Sequence, residues 1–161
     1  MENHNIDPVW NSESEILILG SFPSVKSREA QFFYAHPQNR FWRMLAAVYD
    51  ETPPATVDEK KRLLLSHRLA LWDVIRTCDI TGSADVSIKN AVPNDIPLLI
   101  ASSAIRFVIC NGQTAFRLYR RYLESVTGLP AVVLPSTSPA NASFSLQKLT
   151  EEWRKCLKGT I

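Results

Sequence analysis

Four short apolar runs, each ending in a polar segment, constrain this chain more than any other feature. They are residues 15–20 (EILILG), 69–74 (LALWDV), 106–111 (RFVICN) and 131–135 (AVVLP). Each is nearly continuous rather than alternating. A strand with one wet face alternates, whereas a strand covered on both faces does not, so the runs predict strands of a buried parallel sheet. Segments with helical spacing lie between them. Phe41, Trp42, Leu45, Ala46 and Val48 mark one helix, and residues 58–68 (DEKKRLLLSHR) mark another. Residues 95–102, with Asn94 before them as an N-cap, give a third, and residues 112–122 a fourth. A last helix runs from Ser143 or Ser145 to Leu157, with Leu146, Leu149, Trp153 and Leu157 on one face. Strand then helix, four times over, predicts an α/β fold: a three-layer sandwich with a small four-stranded parallel sheet flanked by helices, in one domain over residues 1–161. Residues 52–55 (TPPA) read as a surface break rather than a boundary.

Composition removes several function classes. At 161 residues, 45% hydrophobic and 21% charged, the chain has the mix of an ordinary domain with a core that needs no staples. Its three cysteines, Cys78, Cys110 and Cys156, are odd in number, far apart and without a CxxC pair. A disulfide framework is not expected, and a four-cysteine iron–sulfur site cannot be built within the chain. Three histidines without HExxH spacing give no zinc pattern, so no metal is expected. No Walker A, GxGxxG, GxSxG or DxDxDG pattern is present, and no cofactor is expected. No apolar run reaches membrane-spanning length, and residues 1–15 are too polar for a signal peptide; a cytoplasmic protein is expected. The net charge of +2 argues on its face against a strongly cationic nucleic-acid binder. The charge is uneven, however. Residues 16–48 carry Lys26, Arg28, Arg40 and Arg43 against Glu29 alone, and residues 106–149 carry Arg106, Arg117, Arg120, Arg121 and Lys148 against Glu124 alone.

Ligands of open parallel sheets sit beyond the carboxyl ends of the strands, so the four segments that follow the apolar runs should build the site. The first is GSFPS at residues 20–24, where Gly20 permits a tight turn and exposed N–H groups can hold an oxyanion or a base carbonyl; a plain strand-to-helix connection is the simpler reading. Residues 34–42 (YAHPQNRFW) add a stacking ring, hydrogen-bonding groups and, in Arg40, a phosphate partner, with Asn39 either functional or only an N-cap. Asp73 suits a general base, a base reader or a helix cap, and the cap is the more ordinary role. Asn111 before Gly112 either reads a ligand or is satisfied by backbone. Residues 136–141 (STSPAN) offer short hydroxyl donors suited to phosphate, or a turn that caps the last helix. Arg117, Arg120 and Arg121 read as a solvated face by default.

Taken together, the stretches GSFPS (20–24), AHPQNRFW (35–42) and LPSTSPAN (134–141) resemble the uracil-DNA glycosylase superfamily over nearly the whole chain. AHPQNRFW is also similar to the mismatch-specific uracil/thymine branch. The combination with Tyr34 and STSPAN looks most like the hypoxanthine-DNA (DNA-deoxyinosine) glycosylase branch. The resemblance implies a parallel sheet between helices and a monomeric, metal-free and cofactor-free enzyme. Such an enzyme flips a damaged nucleotide out of DNA and hydrolyses its N-glycosidic bond. By position it implies that Gly20, Ser21 and Phe22 wall the base pocket, with Ser24 facing DNA. The third place of that motif usually holds a water-activating Asp or Asn. Here it is Phe22, so ordinary uracil excision is not expected, and the catalytic role passes to Asn39. Tyr34 matches the ring that stacks on the flipped base, Asn111 a base-contacting or leaving-group residue, and Asp73 a pocket-edge position. Ser136, Thr137, Ser138 and Asn141 match the loop that enters the minor groove and grips phosphate. Ser136 stands where the best-known branch has a histidine, which again predicts weak uracil activity. Hypoxanthine is the expected base; uracil or mismatch excision, and a silent binder of damaged DNA, are the alternatives.

Overall fold

The computed structural model describes residues 1–160. Its centre is a four-stranded parallel sheet in the order β3-β2-β6-β7, built from β2 (Ile16–Gly20), β3 (Leu69–Asp73), β6 (Phe107–Asn111) and β7 (Ala131–Leu134). These are the four predicted runs, trimmed by at most a residue or two at each end. Residues Ile16 to Leu19 are fully buried, because each face of β2 meets a helical layer. Ile16, Ile18, Leu69, Leu71 and Ile109 point to one side, against α2 (Phe41–Val48), α3 (Val57–Ser66) and α7 (Leu146–Thr160). Leu17, Leu19, Ala70, Val108 and Cys110 point to the other, against α4 (Ile96–Ala101) and α5 (Gln113–Tyr122). Each such aliphatic side chain contributes about 1.5–3 kcal/mol on burial. Phe41, Leu45, Leu149, Trp153 and Leu157 join α2 to α7, and Arg154 donates to the carbonyls of Ala47 and Val48, closing the free end of α2.

Two features go beyond the predicted pattern. The chain does not pass from β3 into a helix. After a bend at Val74 it enters β4 (Ile75–Asp79) and then β5 (Lys89–Pro93), which pair antiparallel, and β1 (Glu2–Asn3) adds to β4 to complete a second, three-stranded sheet. Two short helices, α1 (Val25–Ala30) and α6 (Glu124–Thr127), were also not predicted. In the hairpin, Ile75 and Cys78 are buried while Arg76 is exposed, a burial pattern out of step with strict alternation, and the β4–β5 pairing shifts register between Ile75 and Thr77 and between Thr77 and Asp79; Gly82 takes a positive φ in the turn region.

The strand order places the site. From β2 the chain goes to β3 on one flank, then crosses to β6 on the other, so the direction of winding changes between β2 and β6. Registers Gly20↔Asp73 and Asn111↔Leu134 align the strand ends along one edge, where the connections part and leave a crevice.

Candidate functional site

That crevice is a cavity of about 360 Å³. Gly20, Ser21, Phe22 and Ser24 line it from β2 and the turn after it, Tyr34, His36 and Asn39 from the next segment, and Asp73 and Asn111 from strand ends. Ser136, Thr137 and Ser138 close it from the loop after β7. All four predicted segments therefore meet in one place. Asn141 lines instead an adjoining groove of about 580 Å³, shared with Asn111, Ser136 and Ser138.

Gly20 has to be glycine for space. A methyl group there would sit 2.3 Å from Asp73 Oδ1 and 3.0 Å from Tyr34 Oη. Gly112 is required twice over: its φ is +96°, and a methyl would meet the Ser136 Cβ at 3.0 Å. The β7 loop thus presses directly on the start of α5.

The polar centre of the site is Thr137, fully buried. Its backbone N–H donates to Asn111 Oδ1, and Asn111 Nδ2 donates back to Thr137 Oγ1 and to Tyr34 Oη, all at 3.0 Å. The Thr137 hydroxyl passes its own proton to Asn39 Oδ1, also at 3.0 Å. Asn39 Oδ1 accepts a second bond from the Phe41 N–H at 2.9 Å. Asn39 therefore caps the first turn of α2 and lines the cavity at once. With its oxygen held by two donors, the amide is turned so that Nδ2 is the group left over, and among the described residues it has no protein acceptor. Both Asn111 N–H groups, by contrast, are already spent on protein acceptors.

Tyr34 has a left-handed backbone, φ +53°, which for a tyrosine is a strained conformation. Its ring stacks on Phe41 with centroids 4.3 Å apart, so one face is occupied by protein. Burial, and next the Asp73 charge, hold its hydroxyl above the ordinary phenol range, so it remains a neutral donor.

Arg40, taken with its neighbours as a phosphate partner, faces inward. Its guanidinium donates to the carbonyls of Ser138 and Asn141, each at 3.1 Å, and to that of Phe144, while its own N–H donates to Thr137 O. Arg40 is a clamp on the loop. The loop is also wired within itself: Ser136 Oγ accepts from the Ser138 N–H, Ser138 Oγ from the Ala140 N–H, and Asn141 Nδ2 donates to Ser136 O. What remains outermost is the apolar tip, Pro139 and Ala140. Ser24 also has local work, since it caps α1 by accepting from the Ser27 N–H.

Two acidic features escape the sequence patterns. Asp85, in a short 3-10 turn of the β4–β5 loop, stands exposed at the cavity mouth and accepts from Ser21 Oγ at 2.8 Å. Removal of water by the surrounding walls raises its carboxyl, and the Ser21 hydroxyl opposes that shift. The loop is tied down by the Ser83 hydroxyl, which accepts from the Val25 N–H, and by Arg28, which donates to Gly82 O. The second feature is His4, which contacts Asp73 from behind the cavity. Nothing in the polar N-terminal stretch marks it, and residues 75–80 (IRTCDI) carry no clean alternation that would announce the hairpin bearing Asp85. Among the described residues no Lys or Arg lines the cavity, no group of His, Cys, Asp and Glu is arranged to hold a metal, and no helix is long and apolar enough to cross a membrane.

A profile of the uracil DNA glycosylase superfamily matches residues 8–158. The chain belongs to this superfamily. A Methanosarcina acetivorans protein named hypoxanthine DNA glycosylase is 37% identical over 145 residues, covering 89% of this chain and 90% of that protein. A Methanosarcina barkeri protein of the same name is 30% identical over 161 residues, covering 98% and 99%. Among solved structures, a Methanosarcina acetivorans protein studied by solution NMR and described as a candidate uracil DNA glycosylase matches with a TM-score of 0.81 and 33% identity, over 96% of this chain and 95% of that one. The three-layer superfamily fold read from the sequence, and the DNA glycosylase class that it implies, both stand.

Proposed function

We propose that this DNA glycosylase flips deaminated nucleotides, deoxyinosine foremost, out of DNA and hydrolyses the N-glycosidic bond, leaving an abasic site. The observation that carries the reading is the Asn39 amide, locked by Thr137 and Phe41 with its N–H groups toward the cavity. The names of the two archaeal relatives support the choice of hypoxanthine. The reaction passes through an oxocarbenium-like state in which the sugar gains positive charge and the base negative charge. Asp85 at the cavity mouth favours the positive sugar, and the Asn39 N–H groups stabilise the departing base or orient the water. In this geometry Asn39 positions and does not deprotonate, since its oxygen is fully occupied. Phe22, buried in the cavity wall, offers no acceptor for water. Ser136 offers only a neutral hydroxyl to an anionic base, which disfavours uracil. Asn111 acts through its neighbours, holding Tyr34 and Thr137 in place. Tyr34 meets the base with the ring face and edge that Phe41 leaves free. The Pro139–Ala140 tip, with Ser136 and Ser138 beneath it, enters the minor groove. Among the described residues no lysine lines the cavity, and the proposed reaction includes no Schiff base and no strand cleavage. The chain works as a single catalytic domain, monomeric and cytoplasmic, without metal or cofactor.

The test is single-turnover release of hypoxanthine from an inosine-containing duplex. Free hypoxanthine should appear with strand breakage only after alkali treatment. Asn39→Ala should slow release about 100-fold or more, the usual cost of removing one donor aimed at the reacting centre. An unchanged rate would take Asn39 out of the mechanism.

A further inference from the structure

His4 lies at the end of the short strand β1, with its side chain among the rings of Phe22, Phe33 and Trp72, at centroid distances of 6.1, 6.1 and 6.4 Å. Its side chain is 2% exposed and that of Asp73 is 5% exposed. Nδ1 accepts the Ile6 N–H at 3.2 Å, which places the ring proton on Nε2, and Nε2 lies 2.8 Å from Asp73 Oδ2. The second oxygen, Oδ1, packs against Gly20 where a Cβ would otherwise sit, near Tyr34 Oη; Asp73 lines the cavity, and among the described residues no group donates to Oδ1. An aromatic-walled histidine thus engages one oxygen of a buried carboxylate and leaves the other to the cavity.

Deamination makes one change common to its purine and pyrimidine products. Where adenine and cytosine carry a bare ring nitrogen beside the exocyclic amine, hypoxanthine and uracil carry a ring N–H beside a carbonyl. An ionised carboxylate is acceptor-only, so it pairs with the N–H and repels the lone pair. A side-chain amide in the same place could rotate to suit either edge.

We propose that His4 is a positioning residue which, by donating to Asp73 Oδ2, presents Asp73 Oδ1 as the fixed acceptor for the ring N–H that deamination creates. This rests on the proposed function and adds how the site tells a damaged base from its parent. Seating the base in the cavity with this edge toward Asp73 brings its N–H to Oδ1, where replacing that proton by a lone pair or a methyl group leaves the carboxylate unpaired in a dry site.

The experiment compares single-turnover release of hypoxanthine with release of unsubstituted purine, which has no ring N–H on that edge, from otherwise identical duplexes. His4→Phe keeps the ring packing and removes the donor. It should slow hypoxanthine release about tenfold or more and purine release much less, the loss expected when a charged hydrogen bond is misdirected. His4→Gln, which retains a side-chain N–H, should recover most of the hypoxanthine rate, and wild-type enzyme should not release 1-methylhypoxanthine. Equal losses on both bases would show a merely structural histidine and overturn the proposal, as would no loss on either. If His4→Phe does not fold, Asp73→Asn makes the same comparison with the same two outcomes. Wild-type enzyme inactive on deoxyinosine would overturn the proposed function itself, and the proposal with it. An active wild type with indifferent variants would overturn the proposal alone.

Discussion

At the residue scale the site is built from amide and hydroxyl groups with one arrangement open to them. Thr137 and Asn111 exchange two hydrogen bonds, and the Thr137 hydroxyl proton settles the orientation of Asn39. A network closed in this way keeps a flexible amide from rotating, and it explains why Asn39 needs Thr137 as much as its own position on the chain. Gly20 shows the same economy of space. Gly20→Ala would place a methyl group 2.3 Å from a carboxylate oxygen that His4 already holds, so Asp73 cannot yield without breaking that contact. The variant should fold, because Gly20 has no positive φ to preserve, while hypoxanthine release falls about 100-fold or more, the scale of loss from misplacing a positioned group. Circular dichroism with single-turnover kinetics checks both halves; near-normal turnover would mean that the cavity floor is softer than the packing implies.

At the scale of elements, the decisive piece is the loop from β7 to α7. Its hydroxyl-rich composition suggested phosphate donors, yet several of those side chains brace the loop, and Arg40 fastens it through three carbonyls. Lysine has the charge but not the planar fork that reaches three acceptors together. Arg40→Lys should therefore loosen residues 138–144, seen as faster amide exchange there, with base release down about tenfold and the sheet unaffected. Unchanged exchange would show that the clamp is dispensable. The same loop shows what was readable beforehand. The four sheet strands were legible because burial on both faces writes a continuous apolar run, and the cavity residues because they follow those runs. The hairpin of β4 and β5 was hidden by its short, half-exposed strands, whose pattern competes poorly with a helix that starts soon after. His4 and the inward turn of Arg40 were hidden for another reason. Their partners lie 69 residues and about 100 residues away in sequence, and neither residue belongs to a periodic pattern that betrays such a contact.

At the scale of the whole molecule, the basic excess of residues 16–48 and 106–149 does not all reach the cavity. Arg40 is turned inward on the loop, Arg28 is paired with Glu2, and Arg106 is paired with Glu15 near the opposite, amino-terminal end of the sheet. These three are withdrawn from phosphate, and the cavity is lined by the acidic Asp73 and Asp85. Binding to an inosine duplex should accordingly show a shallow salt dependence, with a log–log slope of about −2 to −3 for two or three phosphate contacts. Fluorescence anisotropy over a salt series measures it; a slope near −6 would mean a broad cationic contact surface instead. The molecule must then find its damaged base mainly by what fits the cavity, and that is where the account is most exposed. One panel of duplexes carrying hypoxanthine, uracil, xanthine or mismatched thymine, with single-turnover release measured for each, addresses it directly. Hypoxanthine should be released fastest, with uracil at least about tenfold slower for want of a charged donor at Ser136. Uracil released faster than hypoxanthine, or no base released at all, would contradict it.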